Sequence, residues 1–340
     1  MRAMVQTGFG GPEVLSLRDL PDPEPAAGEV VVEVHAAALN HLDLIQRRVG
    51  VLPGFALPHV GGMDVAGHVV AVGTDVTTVR AGQRVVVDPT VGCGGCPSCT
   101  AGHPGHCPDL RVVGGSRPGG FAEYVAVPAA VVHPVPDHVD LADAAALPTA
   151  WSVAWQSVHR VGRVQPGEWV LVHAAASAVS IAAVQLAHRA GARVVGVARN
   201  EAKRALAADL GAELVIGLDA DTAPTVREHT AGGVDVVIDH VGAATWPCSL
   251  ASLRTGGRLV LLGNTSGDRV ELSLSEVYHR GLQLLGTGAY APADFAAMLD
   301  SYFTGGLRVP RAAEYPLAEL PQAHARQDAG DLLGKILVRP

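Results

Sequence analysis

The sequence predicts an α/β fold in which a compact β domain is followed by a doubly wound parallel sheet. Its 340 residues are about twice the length of a typical domain, so two domains are expected. The 40 Gly and 23 Pro indicate many turns between short elements, which excludes helical bundles and long disordered regions. The hydrophobic pattern also changes near residue 165, from alternating segments to continuous apolar ones.

The first 127 residues contain short segments in which apolar and polar residues alternate between Gly or Pro turns. Segments with this period of two, rich in β-branched residues, predict antiparallel strands. They lie at residues 3–6, 30–35, 67–72, 84–88 and 121–127.

From residue 165 onward, apolar strands alternate with amphipathic helices. The six predicted strands are residues 169–173, 193–198, 214–216, 234–239, 258–263 and 282–286. Helices are predicted between them at residues 179–190, 201–210, 224–229 and 246–253. Helical crossovers place such strands in a parallel sheet covered on both faces. Ligands of these sheets bind at the carboxyl ends of the strands, near the switch in strand order.

Two further segments set the predicted domain boundaries. Residues 140–161 are expected to form one helix that joins the halves, and the last fifty residues are expected to return to the first domain. The first domain is therefore predicted to contain residues 1–128 and 290–340, with a lobe at about residues 90–110. The second domain is predicted to contain residues 129–289.

Charge and hydropathy limit the possible partners. The net charge of −8 comes from 25 basic and 33 acidic residues, which does not favour nucleic acid as a partner. No apolar run approaches about 18 residues, so neither a signal peptide nor a membrane span is predicted. We expect a cytoplasmic protein that acts on a small-molecule substrate.

Four of the five cysteines share one Gly/Pro-rich loop with the spacing C-x2-C-x2-C-x7-C, at Cys93, Cys96, Cys99 and Cys107. In a reducing compartment such a cluster indicates a metal before it indicates disulfides. Four thiolates complete the tetrahedral shell of Zn²⁺ and leave no open position, so one structural zinc per chain is predicted. Free thiols, a redox pair or an iron–sulfur cluster are the alternatives.

Five short stretches, in this order, resemble the medium-chain dehydrogenase/reductase superfamily, which contains the zinc alcohol dehydrogenases and the quinone oxidoreductases. They are AAALNHLD (36–43), GMDVAG (62–67), GGFAEY (119–124), LPTAW (147–151) and DHVG (239–242). The resemblance implies a GroES-like β domain carrying the four-cysteine lobe, followed by a Rossmann domain. It also implies a homodimer that pairs through the edge strand from Leu282 to Gly288.

The alcohol dehydrogenases of this superfamily hold a catalytic zinc through a Cys, a His-Glu pair and a further ligand. Local alignment places these positions on Asn40, on the pair Met63 and Asp64, and on Thr149. An amide, a thioether, one carboxylate and a hydroxyl are a poor ligand set for Zn²⁺. The resemblance therefore implies that the catalytic zinc is missing, as in the quinone and enone reductases.

This difference favours a particular class of substrate. Reduction of an isolated ketone creates an alkoxide that a Lewis acid stabilises, whereas a conjugated acceptor gives a delocalised anion that hydrogen bonds can stabilise. The chain is predicted to reduce quinones or α,β-unsaturated carbonyls. The candidate catalytic residues are Asn40, His41, Asp43, Asp64 and Thr149. A helix cap at Asn40 and structural hydrogen bonds at the two aspartates are the alternative roles.

The predicted cofactor site begins after the strand at residues 169–173. The superfamily carries G-x-G-x-x-G or A-x-x-G-x-x-G there, but this chain has no glycine between His173 and Ser180. Small residues at a helix N-terminus still let a phosphate approach the backbone N–H groups. The residues predicted to bind the pyrophosphate are Ser177, Ala178, Val179 and Ser180.

Cofactor choice is predicted from the end of the second strand of this domain. Arg199 and Lys203 offer cations for a 2′-phosphate where an NAD site would carry an acidic residue, so NADPH is favoured over NADH. Arg199 as a solvated loop cation is the alternative. By resemblance, the ribose and nicotinamide are lined by His240, Val241, Gly263 and Asn264.

Two other functions remain open from the sequence. The loop without glycine also fits a scaffold that performs a cofactor-independent isomerisation, cyclisation or elimination, or that only binds a ligand. An alcohol dehydrogenase with unusual metal ligands is the other alternative. Metal content and NADPH binding measured on one sample distinguish these functions from an NADPH-dependent reductase.

Overall fold

The computed structural model describes residues 1–219 and 221–340, which divide into two compact units. The first unit contains Met1–Ala150 and Ala291–Pro340, and the second contains Trp151–Tyr290. Each unit has a large sheet with its own hydrophobic core. No helix in these described ranges is both long enough and apolar enough to span a bilayer.

The strands, in chain order, are β1 (Arg2–Gln6), β2 (Leu15–Asp19), β3 (Glu29–Leu39), β4 (His59–Val60), β5 (Asp64–Val72), β6 (Arg84–Val87), β7 (Thr90–Val91), β8 (Arg111–Val112), β9 (Tyr124–Pro128), β10 (Val132–Pro134), β11 (Trp169–Val172), β12 (Arg193–Val197), β13 (Leu214–Ile216), β14 (Val234–Asp239), β15 (Leu253–Leu261), β16 (Gln283–Gly286), β17 (Arg311–Pro316) and β18 (Lys335–Arg339). The α-helices are α1 (His41–Val49), α2 (Pro97–Thr100), α3 (Leu141–Ala145), α4 (Pro148–Trp155), α5 (Ala178–Arg189), α6 (Glu201–Asp209), α7 (Thr222–His229), α8 (Trp246–Ser252), α9 (Leu274–Arg280), α10 (Pro292–Phe303) and α11 (Leu320–Asp328).

The first unit is built around the long strand β3. Its main sheet has the order β10-β6-β5-β3-β18-β17, and β9 also pairs with β3. Val30, Val32 and Val34 alternate along β3 and bury their side chains in one core, as the period of two predicts. The predicted β domain is confirmed. The C-terminal strand β18 lies beside β3 and pairs with it in antiparallel register, with Ile336 opposite Leu39.

The boundary between the units lies after Ala150, not after Pro128 as predicted. The intervening segment belongs to the first unit because β10 pairs with β6 and α3 packs against β3 and β5. The single helix predicted at residues 140–161 is also wrong. Helix α3 ends at Ala145 and α4 begins at Pro148, which lacks an N–H and favours the first turn of a helix.

The second unit is a doubly wound parallel sheet. Its strand order is β13-β12-β11-β14-β15-β16, and every neighbouring pair is parallel. Residues 170–172 of the central strand β11 are fully buried, because helices cover both faces of such a sheet. The order reverses between β11 and β14, so their carboxyl ends form the switch point at which ligands of this fold bind. This confirms the predicted fold class.

Candidate functional site

The loop from β11 to α5, residues 174–180, lies at the switch point of the second unit and is called the phosphate loop below. Ser177 is the N-cap residue of α5, and its Oγ accepts a hydrogen bond from the Ser180 N–H at 3.4 Å. The predicted residues Ser177, Ala178, Val179 and Ser180 therefore lie at a helix N-terminus beside the central strand. This is where a pyrophosphate binds in the fold.

The phosphate loop keeps a tight turn although it has no glycine. Ala174 adopts a φ of +47°, in the left-handed region that costs an L-residue roughly 1–2 kcal/mol. Ala174 comes directly after His173, at the position where the glycine-rich fingerprint of the superfamily begins. The chain therefore forms the turn with alanine at an energetic cost, instead of abandoning it.

His240, at the carboxyl end of β14, reaches the phosphate loop. Its Nε2 lies 2.9 Å from Ser177 Oγ and 3.1 Å from Ser180 Oγ. The Ser180 hydroxyl donates to the His173 carbonyl at 2.7 Å, and the Ser177 hydroxyl donates to Ser180 Oγ at 3.1 Å. Both hydroxyl protons are thus used, so His240 Nε2 must carry the proton donated to Ser177. The two serine hydroxyls therefore have no proton to offer a phosphate, and the backbone N–H groups at the start of α5 are the donors that could bind one.

Asp239 fixes the turn that carries His240. Its buried carboxylate accepts the N–H groups of Val241 and Gly242 at 2.8 and 3.1 Å. The hydroxyls of Thr245 and Ser249 each donate to its Oδ2 at 2.7 Å. Burial opposes ionisation of Asp239, but the nearby His173 and these hydrogen bonds outweigh it and lower the pKa of the carboxyl group.

His173 lies behind this carboxylate and is fully buried. Its Nε2 lies 2.9 Å from Ser249 Oγ. Because the Ser249 hydroxyl proton goes to Asp239, the His173 Nε2 is the donor in this contact. Burial lowers the pKa of His173 to about 4, although the charge of Asp239 opposes that shift.

The remaining predicted cofactor residues lie at the carboxyl ends of β12, β14 and β15. Gly263 packs so closely on β14 that a Cβ there would lie 2.7 Å from the His240 carbonyl oxygen.

Arg199 follows β12 and is exposed. Its guanidinium has no hydrogen-bond or ion-pair partner in residues 1–219 and 221–340. Lys203 lies on the first turn of α6, and its N–H is capped by Asn200. Val241 and Asn264 lie in the loops after β14 and β15.

In the first unit, Asn40 and Asp43 form the N-terminal turn of α1. The Asn40 N–H donates to Asp43 Oδ2 at 2.8 Å. Burial raises the pKa of Asp43 to about 7, although this hydrogen bond opposes the shift. His41, by contrast, is exposed on the surface of the unit. The structure therefore brings Asn40 and Asp43 together and leaves His41 apart from them.

Two predicted catalytic residues, Asn40 and Asp64, bind a lysine that the sequence did not single out, and a third, Thr149, binds Asp64. The Lys335 ammonium lies 2.7 Å from Asn40 Oδ1 and 3.0 Å from Asp64 Oδ2. Asp64 Oδ1 accepts from the Thr149 N–H at 2.8 Å and from its hydroxyl at 2.6 Å. Lys335 is 4% exposed and Asp64 0%. Asn40, Asp64, Thr149 and Lys335 are called the Lys335 cluster below.

The four cysteines of the predicted metal site come together on their loop. Cys93, Cys96, Cys99 and Cys107 place their sulfur atoms within 4.8 Å of one another. Sulfurs about 3.8 Å apart surround a tetrahedral zinc when each Zn–S bond is about 2.3 Å. The Cys93 N–H also points to Cys107 Sγ at 3.4 Å. The donor set and its spacing therefore fit a closed tetrahedral metal site.

Comparison with known proteins identifies the family. Residues 26–137 match the model of the alcohol dehydrogenase GroES-like domain, and residues 178–304 match that of the zinc-binding dehydrogenases. The chain is 31% identical to a quinone oxidoreductase of Pseudomonas aeruginosa over 98% of its own length and 97% of the relative's. It is 29% identical to an acryloyl-coenzyme A reductase of Metallosphaera sedula over 99% of both chains.

The chain belongs to the medium-chain dehydrogenase/reductase superfamily. Solved structures agree with this assignment over the whole length. An NAD-dependent alcohol dehydrogenase is 38% identical and superimposes with a TM-score of 0.96, covering 100% of both chains. A mycobacterial protein solved in complex with NADPH is 30% identical, with a TM-score of 0.82 and the same coverage.

Membership of the medium-chain dehydrogenase/reductase superfamily makes the chain an oxidoreductase that uses a nicotinamide cofactor. The phosphate loop and the exposed Arg199 fit such a cofactor, because they combine a helix N-terminus with a cation to which the described residues offer no partner. The GroES-like and Rossmann architecture inferred from the sequence is also confirmed.

Sequence reasoning missed Lys335, although a signal was present. The chain has two lysines, and the other is Lys203 on the helix α6. Lys335 opens the apolar segment KILV, all four residues of which are buried in β18. A lone lysine in a buried strand requires a compensating partner. In this member of the superfamily the partners are Asn40 and Asp64.

Proposed function

We propose that the chain is an NADPH-dependent reductase that transfers hydride to a quinone or an α,β-unsaturated carbonyl without a catalytic metal. The observation that carries this proposal is the Lys335 ammonium bonded to Asn40 and Asp64. These are two of the positions that would supply ligands to a catalytic zinc. An amide and a carboxylate already engaged by a cation do not fit Zn²⁺, which binds thiolate, imidazole or free carboxylate.

Hydrogen-bond donors suffice for such a substrate. When bound, the reduced nicotinamide would supply a hydride to the β-carbon of an α,β-unsaturated carbonyl. The C=C electron pair then forms the double bond to the carbonyl carbon, the C=O pair moves to the oxygen, and solvent protonates the α-carbon of the enolate. The protein's part is to orient the acceptor and to donate hydrogen bonds to its oxygen. The names of the similar acryloyl-coenzyme A reductase and quinone oxidoreductase support this class of acceptor.

The proposal is tested with a matched pair of acceptors. Purified enzyme and NADPH are assayed with 2-cyclohexen-1-one and with its saturated analogue cyclohexanone, and also with 1,4-benzoquinone and acryloyl-coenzyme A. We expect kcat/KM for at least one conjugated acceptor to exceed that for cyclohexanone by about 100-fold or more, the scale of a lost oxyanion donor. The proposal is overturned if no conjugated acceptor is reduced with a higher kcat/KM than cyclohexanone.

We propose that Cys93, Cys96, Cys99 and Cys107 hold one structural zinc, because their four sulfurs already cluster within 4.8 Å. Metal analysis is expected to give one zinc atom per chain, and Cys96→Ser is expected to reduce that value. Iron with the visible absorption of a cluster would indicate an iron–sulfur site instead. Two zinc atoms per chain would contradict both the metal count and the proposed metal-free catalysis.

We propose NADPH as the preferred cofactor because the Arg199 guanidinium is exposed at the end of β12 with its charge uncompensated in the described part of the chain. Arg199→Ala is expected to lower the preference for NADPH over NADH, measured as the ratio of kcat/KM values, by about tenfold or more. Arg163→Ala is the matched control, since Arg163 is also exposed but lies before β11. An unchanged ratio in Arg199→Ala would make that residue a bystander.

We propose that two copies of the chain pair through β16. This strand is the last of the six-stranded sheet, so one of its sides has no strand partner among the residues described. An apolar edge strand left open favours pairing with another chain. Sedimentation equilibrium is expected to give the mass of two chains, and the mass of one chain would contradict the proposal.

A further inference from the structure

The orientation of the Asn40 side chain follows from its partner. An ammonium group has three donors and no acceptor, so the Asn40 atom 2.7 Å from Lys335 Nζ must be the amide oxygen. The amide nitrogen then lies on the other side. That Nδ2 is buried and has no hydrogen-bond partner in residues 1–219 and 221–340, although Asn40 is only 7% exposed.

The position of Lys335 is fixed in turn by Asp64. The carboxylate accepts Lys335 on Oδ2 and both donors of Thr149 on Oδ1. Lys335 donates to both Asn40 and Asp64, and Thr149 donates to Asp64. Reversing the Asn40 amide would set its NH₂ group against the ammonium. Such a polar network specifies one arrangement when its members are satisfied. Within the described residues, Asn40 Nδ2 is the nitrogen atom of the cluster that is buried and makes no hydrogen bond.

We propose that Lys335 is a positioning residue that takes the structural place of the catalytic metal and turns the Asn40 amide so that its NH₂ group is presented to the oxygen of the acceptor. This inference rests on the proposed function, because it assigns the donor that stabilises the enolate or phenolate. Asn40 is the catalytic residue, and Lys335 acts through it.

Asn40 was predicted to hold the acceptor oxygen, and the geometry now says which of its ends does so. A buried, unpaired NH₂ costs free energy in the resting protein, and a negatively charged oxygen satisfies it best. The donor is therefore better matched to the charge that develops during hydride addition than to the neutral acceptor. Interactions that strengthen in this way raise kcat.

Kinetics test both roles. Asn40→Asp keeps an oxygen for Lys335 but replaces the donor by an acceptor, so kcat on the best conjugated acceptor is expected to fall about 100-fold or more. Lys335→Met releases the amide and is expected to lower kcat at least tenfold, while KM changes by less than threefold. Lys335→Arg is expected to restore a part of kcat. Arg18→Met, which removes an exposed cation on β2, is the control.

A spectroscopic readout makes the orientation testable without activity. The chain has three asparagines, Asn40, Asn200 and Asn264, so selective ¹⁵N-asparagine labelling gives three side-chain NH₂ pairs. The pair missing in Asn40→Asp identifies Asn40. In Lys335→Met we expect the Asn40 pair to shift or broaden, while the other two pairs stay in place and report an intact second unit. Lys335→Arg is expected to keep the wild-type pair.

Lys335→Met also leaves Asp64 as an uncompensated buried charge, which destabilises the first unit. The double variant Lys335→Met with Asp64→Asn removes that charge and is used where the single variant unfolds. An unchanged Asn40 pair, or an unchanged kcat, in the folded variant would overturn the inference. If the wild type reduces no conjugated acceptor but the Asn40 pair shifts, the proposed function fails and the positioning of Asn40 by Lys335 stands.

Discussion

Replacement of Asp239 by alanine is expected to lower the free energy of unfolding of the second unit by at least about 4 kcal/mol. The carboxylate is fully buried and accepts hydrogen bonds from two backbone N–H groups and two hydroxyls. Each buried donor left without a partner costs about 1–3 kcal/mol. Losing all four partners at once places this substitution among the largest effects that a single side chain can have.

The unfolding of that unit can be followed specifically. All four tryptophans lie in it, at positions 151, 155, 169 and 246, so tryptophan fluorescence in urea reports on the second unit. Asp239→Asn is the matched control, because its amide oxygen can still accept the two N–H groups. It is expected to lower the free energy of unfolding by less than half of the loss in Asp239→Ala. A loss below about 1 kcal/mol in Asp239→Ala would show that water replaces the carboxylate.

The same variant is expected to weaken NADPH binding. Asp239 holds the turn of residues 240–242, and His240 on that turn hydrogen-bonds Ser177 of the phosphate loop. With the turn released, the loop has to be ordered when the cofactor binds, and the ordering cost appears as lost affinity. Titration of the folded variant with NADPH measures this loss directly.

The sequence was sufficient to predict those parts of the fold that depend on local pattern. The alternating valines of β3 and the apolar strands of the second unit each carry their periodicity within a few residues. The four cysteines are similarly close in the chain. The predicted domain boundary was wrong because residues 141–155 form an alanine-rich helical segment, and such a sequence pattern is compatible with either unit. The pairing of β10 with β6 and the packing of α3 against β3 and β5 assign residues 129–150 to the first unit, and the second unit begins at Trp151.

The Lys335 cluster could not be predicted because it depends on strand pairing across nearly the whole chain. Lys335 is separated from Asn40 by 295 positions and from Asp64 by 271. The antiparallel register that places Ile336 opposite Leu39 also brings the preceding Lys335 toward the following Asn40. A single sequence does not state which strand accepts β18 as a neighbour. The sequence therefore predicted Asn40, Asp64 and Thr149 as separate candidates, but it did not predict Lys335, which joins Asn40 to Asp64.

Acidification is expected to destabilise the second unit through His173. Its pKa is about 4 in the folded protein because the ring is buried, against 6.5 for a solvated histidine. Between these values the unfolded chain binds a proton that the folded chain refuses, so the free energy of unfolding falls as the pH falls. The loss is about 1.4 kcal/mol for each pH unit within that window.

The contribution of this one residue is isolated by His173→Gln, whose amide NH₂ can still donate to Ser249. Urea unfolding followed by tryptophan fluorescence is compared at pH 7 and pH 5. The stability of the wild type relative to the variant is expected to fall by about 2 kcal/mol over that range. The contribution of Asp43 to stability depends on pH in the opposite direction. Burial raises the pKa of Asp43 to about 7, so its stabilising contribution is lost as the pH rises through that value. It lies in the first unit, so it leaves this comparison unaffected, and a pH-independent difference between wild type and variant would show that His173 titrates normally in the fold.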